Sequence, residues 1–327
     1  MNELRKDYFR DRWVIIAKDR GQRPDQFAKK KKEENSAGPC FFCAGHENET
    51  PSEISRIEEC GRWIIRCFPN KFPATSDEFV DVEGPGDGLL VKRSAYGRHE
   101  IIVETPEHEK NLGDLEVGHI ARLIDMYAQR LEENRKDPRI KHVMLFKNQG
   151  GDAGTSIEHT HSQLISLCIV PTDVRDEVEA SKRYIRERCS CPLCDTWRIE
   201  AKGERRILED DRVAVFAPYA SRFPFQAVII PKRHTTSLEF LDMDERLSLA
   251  FALKQVLSSL NFSLNYPSYN FYFHTAPKGE DLHFHIDICP RISKWAGFEL
   301  GGGVIINTMP PETAAGHYRD LLKQTDE

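Results

Sequence analysis

The chain has 327 residues, a formal net charge of −6 and 30% charged residues, with 39% hydrophobic residues. That length allows one large core or two ordinary ones. The composition is that of a globular protein, the acidic balance argues against general nucleic-acid binding, and the longest apolar runs are strand-sized, far below a membrane span. Met1–Lys6 holds no apolar segment of the kind a secretory signal needs, so a cytoplasmic location is expected.

In chain order, the first chemical signal is Cys40-x-x-Cys43 in the knuckle Pro39–Gly45. Nine cysteines at uneven spacing read as metal ligands plus free thiols, not as a disulfide framework. An apolar stretch at Trp63–Ile65 follows, then the strand-like His99–Glu104 and Pro106-Glu107-His108. Val117, Ile120, Leu123, Ile124, Tyr127 and Leu131 recur at helical spacing, with Asp114 as a plausible N-cap. Phe146–Gln163 is the densest segment. Its first part reads as a polar glycine-rich loop, where backbone N–H groups can approach an anion. Its end reads as a strand, on which His159, His161 and Gln163 share a face and Thr160 and Ser162 lie behind.

The order of features then repeats. Cys191-x-x-Cys194, an apolar stretch at Val213–Phe216, a strand at Gln226–Ile230 and His234 come in turn. A second helical pattern from Asp244, its plausible N-cap, through Leu260 follows, then His283-Phe284-His285. His108 to His159 and His234 to His283 span nearly equal intervals. Two copies of one unit account for this. The expectation is an α+β fold of two tandem domains, residues 1–172 and 173–327, with mostly antiparallel sheets and flanking helices.

A neutral imidazole attacks phosphorus well and yields a reactive phosphoramidate, while a glutamine can donate a hydrogen bond but cannot supply a proton. His161 with Gln163 therefore suits transfer between phosphates better than hydrolysis. A strand whose histidines are merely structural is the bland alternative, and the adjacent loop weighs against it.

His159-x-His161-x-Gln163 after Gly154-Thr155-Ser156 resembles the galactose-1-phosphate uridylyltransferases, a branch of the histidine-triad superfamily. The resemblance extends through Leu4–Asp7, Asp11–Ile16, Arg23-Pro24, Asn70–Pro73 and Glu104–His108 to Gly297-Phe298-Glu299. It implies histidine-triad-like domains and a ping-pong transfer of UMP between a UDP-hexose and a hexose 1-phosphate through a nucleotidyl-His161. Gln163 and Ser156 would hold phosphoryl oxygens. Asn148, Gly154 and Thr155 would line the phosphate pocket, and Asn70 and Lys71 the nucleoside. Lys294, Phe298 and Glu299 would contact the sugar. Arg20 and Arg23 would reach the phosphates from a partner subunit, which implies a homodimer.

The resemblance also supports Cys40, Cys43, His108 and His159 as a zinc set, with His46 and His99 as rival ligands. Cys191, Cys194, His234 and His283 form a second zinc set by position. Some members of the family instead hold iron through residues matching Glu177, His274, His283 and His285, and the two sets compete for His283. The second half reads as a non-catalytic copy that contributes sugar contacts. Lys71 stands where some members carry an acidic ribose ligand, and Gly301–Gly303 is similar to a subgroup with adenylyl-transferring phosphorylases. An ADP-sugar or dinucleotide phosphorylase is therefore the alternative. A non-catalytic zinc-stabilised nucleotide-binding module is the reading from another class, although nothing in His159–Gln163 looks degraded.

Overall fold

The structure, a computed structural model, describes residues 2–7, 12–17, 40–78 and 92–325. Strands β1 (Glu3–Lys6) and β2 (Trp13–Ile16) pair antiparallel, and β13 (Ile305–Asn307) joins β2 in parallel. The large sheet takes five strands from each half. The first half supplies β3 (Ser55–Glu59), β4 (Arg62–Pro69), β5 (His99–Val103), β6 (His142–Gln149) and β7 (His161–Leu167). The second supplies β8 (Arg206–Glu209), β9 (Val213–Phe216), β10 (Ala227–Pro231), β11 (Tyr269–His274) and β12 (His285–Pro290).

The order is β3-β4-β5-β7-β6-β11-β12-β10-β9-β8, so the same sequence of strands runs inward from each edge. All its pairs are antiparallel. The fold is thus α+β with two histidine-triad-like halves in tandem. Pairing of β6 with β11, Phe146 opposite Tyr272 and Asn148 opposite Asn270, joins the halves into one sheet.

Strand alternation sorts the faces. Leu145, Leu164, Phe271, Phe273, Ile286 and Ile288 are buried beneath helices α1 (Val117–Arg135) and α4 (Met243–Leu264), in one core that spans both halves. The helices α2 (Thr172–Arg188), α3 (Pro192–Glu200), α5 (Gly297–Gly302) and α6 (Pro311–Thr325) complete the set among the described residues. By length and composition α4 would be long and apolar enough to cross a membrane, but its Leu249, Leu253, Val256, Leu257 and Leu260 belong to this core.

Three local readings change. Helix α4 is capped by Asp242, not Asp244: the Asp242 side chain accepts from the N–H of Glu245 at 2.8 Å, and Glu245 accepts in return from the N–H of Asp242 at 2.9 Å. The reciprocal pair satisfies two orphan donors, which Asp244, two residues later and already inside the helix, cannot do. Asp114 ends a short 3-10 turn, and α1 starts after Glu116. Phe146–Gln149 is strand, not loop. Its polar Lys147 hides a buried position whose charge is met elsewhere in the fold.

Candidate active site

On the sheet face opposite the core, β7 presents His161 and Gln163 beside Phe146 and Asn148 of β6. His159 precedes β7 instead of sharing its strand. His161 is buried, and Phe42 of the cysteine knuckle meets its ring edge-on at 5.3 Å. Its Nδ1 lies 2.9 Å from the carbonyl oxygen of His159. A carbonyl can only accept, so Nδ1 carries the proton and Nε2 keeps its lone pair. Burial, reinforced by the charge of Lys147, pushes the imidazole down to about 4, so it is neutral near pH 7.

The loop that follows β6 turns at Gly150 and Gly154, at φ +80° and +87°. A Cβ on Gly150 would also meet the Ser268 hydroxyl at 2.3 Å, so only glycine fits there. Ser156 is exposed, and the Thr155 hydroxyl is spent on the carbonyl of Ile157 at 3.0 Å. Asn270, from β11 of the second half, donates to Asn148 Oδ1 at 2.8 Å and to the Ala153 carbonyl at 3.0 Å. It orients Asn148 and the loop together. Sequence reading missed Asn270 because it lies in an otherwise aromatic strand, far along the chain.

Behind β7, on the core side, a fully buried polar cluster holds the strand. Lys147 Nζ donates to Glu104 Oε2 at 2.8 Å, Thr160 Oγ1 at 2.7 Å and the carbonyl of His161 at 3.0 Å. Glu104 also accepts from Ser162 at 2.5 Å and Tyr127 at 3.0 Å. Burial alone would raise the Glu104 carboxyl. Lys147 and the two hydroxyls of Ser162 and Thr160 reverse this and hold it below the usual carboxylate range.

Cys40, Cys43, His108 and His159 gather with their ligand atoms within 4.8 Å of one another, as do Cys191, Cys194, His234 and His283. Sulfur-to-Nδ1 distances are 3.4 Å for Cys43–His108, 3.6 Å for Cys43–His159 and 3.7 Å for Cys40–His159. In the second set they are 3.4 Å for Cys194–His283, 3.6 Å for Cys194–His234 and 3.9 Å for Cys191–His283. A tetrahedral ion with ordinary Zn–S and Zn–N bonds separates such ligands by about 3.5 Å, so both sets fit. The far nitrogens are also engaged: His159 Nε2 on the Thr105 carbonyl at 2.7 Å, His283 on the Pro231 carbonyl at 2.9 Å, and His234 on Asp281 at 2.7 Å. These partners fix the tautomer that offers Nδ1 to a metal.

The rivals sit elsewhere. His46 pairs with Glu49 on the surface, and His99 lies against Gln163. Glu177, His274 and His285 form a third group without His283, so the two sets proposed for the second half do not compete for it. The reason is that His283 turns its Nδ1 to the cysteines, while His285 points its own Nδ1 back to the His283 carbonyl at 3.0 Å.

Among the remaining expected residues, Asn70 lies 3.2 Å from His99, and Lys71 is exposed. Lys294 reaches the loop through Asp152 at 3.5 Å. Glu299 caps α5 by accepting from the N–H of Ala296 at 2.9 Å and lines a cavity of about 550 Å³ with Arg222, Phe223, Arg291 and Trp295. Phe298 is exposed. Arg20 and Arg23 lie outside the described residues.

Lys147→Met is expected to destabilise the protein by about 3–5 kcal/mol, because it strands a buried carboxylate. Adding Glu104→Gln should recover most of that loss. Denaturant unfolding of the single and double variants checks both, and equal losses for the two would contradict the pairing.

Residues 1–171 match the family model described as galactose-1-phosphate uridyl transferase, N-terminal domain, and residues 100–326 match a domain of unknown function (DUF4921). The ADP-glucose phosphorylase of Arabidopsis thaliana is 32% identical over 98% of this chain and 93% of its own length. The galactose-1-phosphate uridylyltransferase of Thermotoga maritima is 27% identical over 98% of each chain. Among solved structures, an ADP-glucose phosphorylase from Arabidopsis thaliana with bound ADP-glucose superposes with a TM-score of 0.84 at 30% identity, covering 98% of this chain and 99% of that one. A uridylyltransferase superposes at 0.77 with 26% identity, covering 100% of both chains.

Proposed function

Because the chain belongs to the galactose-1-phosphate uridyl transferase family, we propose that it is a nucleotidyltransferase that carries the nucleotidyl group on Nε2 of His161. The observation that carries this reading is the hydrogen bond from His161 Nδ1 to the His159 carbonyl, which leaves the Nε2 lone pair as nucleophile. In the first step Nε2 forms the N–P bond as the α-phosphorus releases a sugar phosphate, which departs with the electron pair of the broken P–O bond. In the second, a phosphate oxygen attacks the same phosphorus and the N–P electrons return to Nε2. Neither step needs a proton from the site, which fits an amide at position 163.

Gln163 and Asn148 stand on the same face as His161 and would hold phosphoryl oxygens as charge shifts, with Ser156 and the backbone around Gly154 and Thr155 closing the anion pocket. Lys294, paired with Asp152 of that loop, would meet the leaving sugar phosphate. Phe298 and Glu299 belong to the sugar side of the same proposal, Asn70 and Lys71 to the nucleoside side. A homodimer, with Arg20 and Arg23 serving the neighbouring subunit, completes it.

A nucleoside diphosphate sugar is the donor, and an adenine nucleotide is favoured over a uridine one. The similarity to an ADP-glucose phosphorylase supports that choice in sequence and in structure, and inorganic phosphate is then the acceptor. UMP transfer between a UDP-hexose and a hexose 1-phosphate is the second reading, supported by the likeness to uridylyltransferases. Protein mixed separately with ADP-glucose and UDP-glucose should gain an AMP adduct on the His161 peptide from the first, and none in His161→Ala. A UMP adduct alone would select the second reading; an adduct on another residue would remove His161 from the mechanism.

Zinc is the ion that the two Cys₂His₂ sets would take, and the thiolates of Cys191 and Cys194 favour it over iron in the second. It would supply a cross-link between the cysteine knuckle and the start of β7 through His159. Elemental analysis of protein purified without added metal should find about two zinc ions per chain, with mixed sulfur and nitrogen ligation in the absorption edge. Iron on those sulfurs, or protein that folds fully in chelator, would contradict the assignment.

A further inference from the structure

A glutamine that must hold a phosphate works in only one of its two amide orientations. Its oxygen accepts and its nitrogen donates, so a flip replaces attraction to an anion with repulsion. Something must decide which end of Gln163 faces the substrate, and the structure contains a chain of contacts that does so.

His99 on β5 lies diagonally across from Gln163 on β7: Ile101 stands opposite Gln163, and His99 opposite Ile165. The backbone N–H of Ala74 lies 3.1 Å from His99 Nδ1. A backbone N–H can only donate, so Nδ1 must be the acceptor. Burial pulls the ring below the ordinary histidine range, though its bond to Gln163 works the other way, and the ring is neutral near pH 7. A neutral ring that accepts at Nδ1 carries its proton on Nε2. That nitrogen lies 2.8 Å from Gln163 Oε1, which therefore accepts. Asn70 Nδ2 approaches the same Nε2 at 3.2 Å, but its own amide is set independently by the N–H of Phe72, which donates to Asn70 Oδ1 at 2.9 Å. With Oε1 of Gln163 occupied, its NH₂ end is the one left for a phosphoryl oxygen.

We propose that His99 is a positioning residue for the transfer: held as its Nε2–H tautomer by the Ala74 N–H, it locks Gln163 with the amide NH₂ turned to the phosphate that His161 attacks. The inference rests on the nucleotidyl-transfer reading for the phosphate, but not for the tautomer or the amide orientation.

The test uses the full chain, with turnover measured on ADP-glucose and inorganic phosphate, or on UDP-glucose and galactose 1-phosphate if that is the pair that labels His161. His99→Phe keeps a ring of similar size and removes both contacts. It should lower kcat by about 10- to 100-fold, short of the loss on deleting an oxyanion donor outright, with KM for the nucleotide sugar moving less than about threefold. His99→Gln offers an acceptor and a donor and should retain more activity than His99→Phe. In a Gln163→Ala background, His99→Phe should cost no more than about twofold, because there is no amide left to orient. An equal loss in both backgrounds would mean that His99 acts by packing alone, and would overturn the proposal. Histidine ¹⁵N NMR of the unmodified protein supplies the second measurement. The His99 proton should sit on Nε2, and a proton on Nδ1 would overturn the relay whatever the enzyme turns over. If no nucleotide sugar labels the protein, the transfer reading falls while the NMR result still decides the relay.

Discussion

The site rests on an ion pair buried behind it. Lys147 and Glu104 lie on the core side of the sheet, out of contact with water, and between them they bind Thr160, Ser162, Tyr127 and the carbonyl of His161. A charge buried there is tolerable only when paired and fully hydrogen-bonded. The pair therefore ties the end of β5, the end of β6 and the start of β7 into one geometry. Because strand residues alternate, fixing Thr160 and Ser162 on one face fixes His161 and Gln163 on the other. The cysteine knuckle constrains the same stretch from the front, through His159 and the Phe42 ring.

The internal repeat shows which parts of this arrangement are architectural. His283 and His285 reproduce the hydrogen bonds of His159 and His161: each first histidine donates to a carbonyl upstream, and each second histidine turns Nδ1 to the carbonyl of the first. The copies diverge at the next position on the strand. Where β7 has Gln163 open to the face, β12 has Asp287, buried and bound by Arg222 and Gln226. A carboxylate engaged by an arginine repels phosphate instead of receiving it. The second half serves the first in another way, since pairing of β6 with β11 brings Asn270 onto Asn148 and the glycine loop.

Much of this was legible in the chain. Periodicity located both long helices, repeated spacing exposed the two halves, and each C-x-x-C lies with the two histidines assigned to it. What escaped were partners that only the tertiary fold supplies. Lys147 reads as loop because a lysine in a strand interior contradicts the alternation unless Glu104, distant in sequence, is there to receive it. His99 stands as a rival to the four metal ligands because composition cannot tell a histidine that coordinates from one that lies against an amide. The Glu177, His274 and His285 group reads as needing His283, since spacing alone does not show which way a ring turns. Asp244 reads as the cap of the second long helix, whereas Asp242, two residues earlier, fills that place because its spacing to Glu245 allows the reciprocal bonds.

The central claim is that the nucleotidyl group passes through His161 in two displacements at one phosphorus. The stereochemical course tests it most directly, using a nucleotide sugar made chiral at the α-phosphorus by sulfur substitution. Each in-line displacement inverts the centre, so transfer through a nucleotidyl-histidine gives a product with net retention of configuration. Inversion would mean that the acceptor attacks the donor directly, and that the free Nε2 of His161 carries no covalent intermediate.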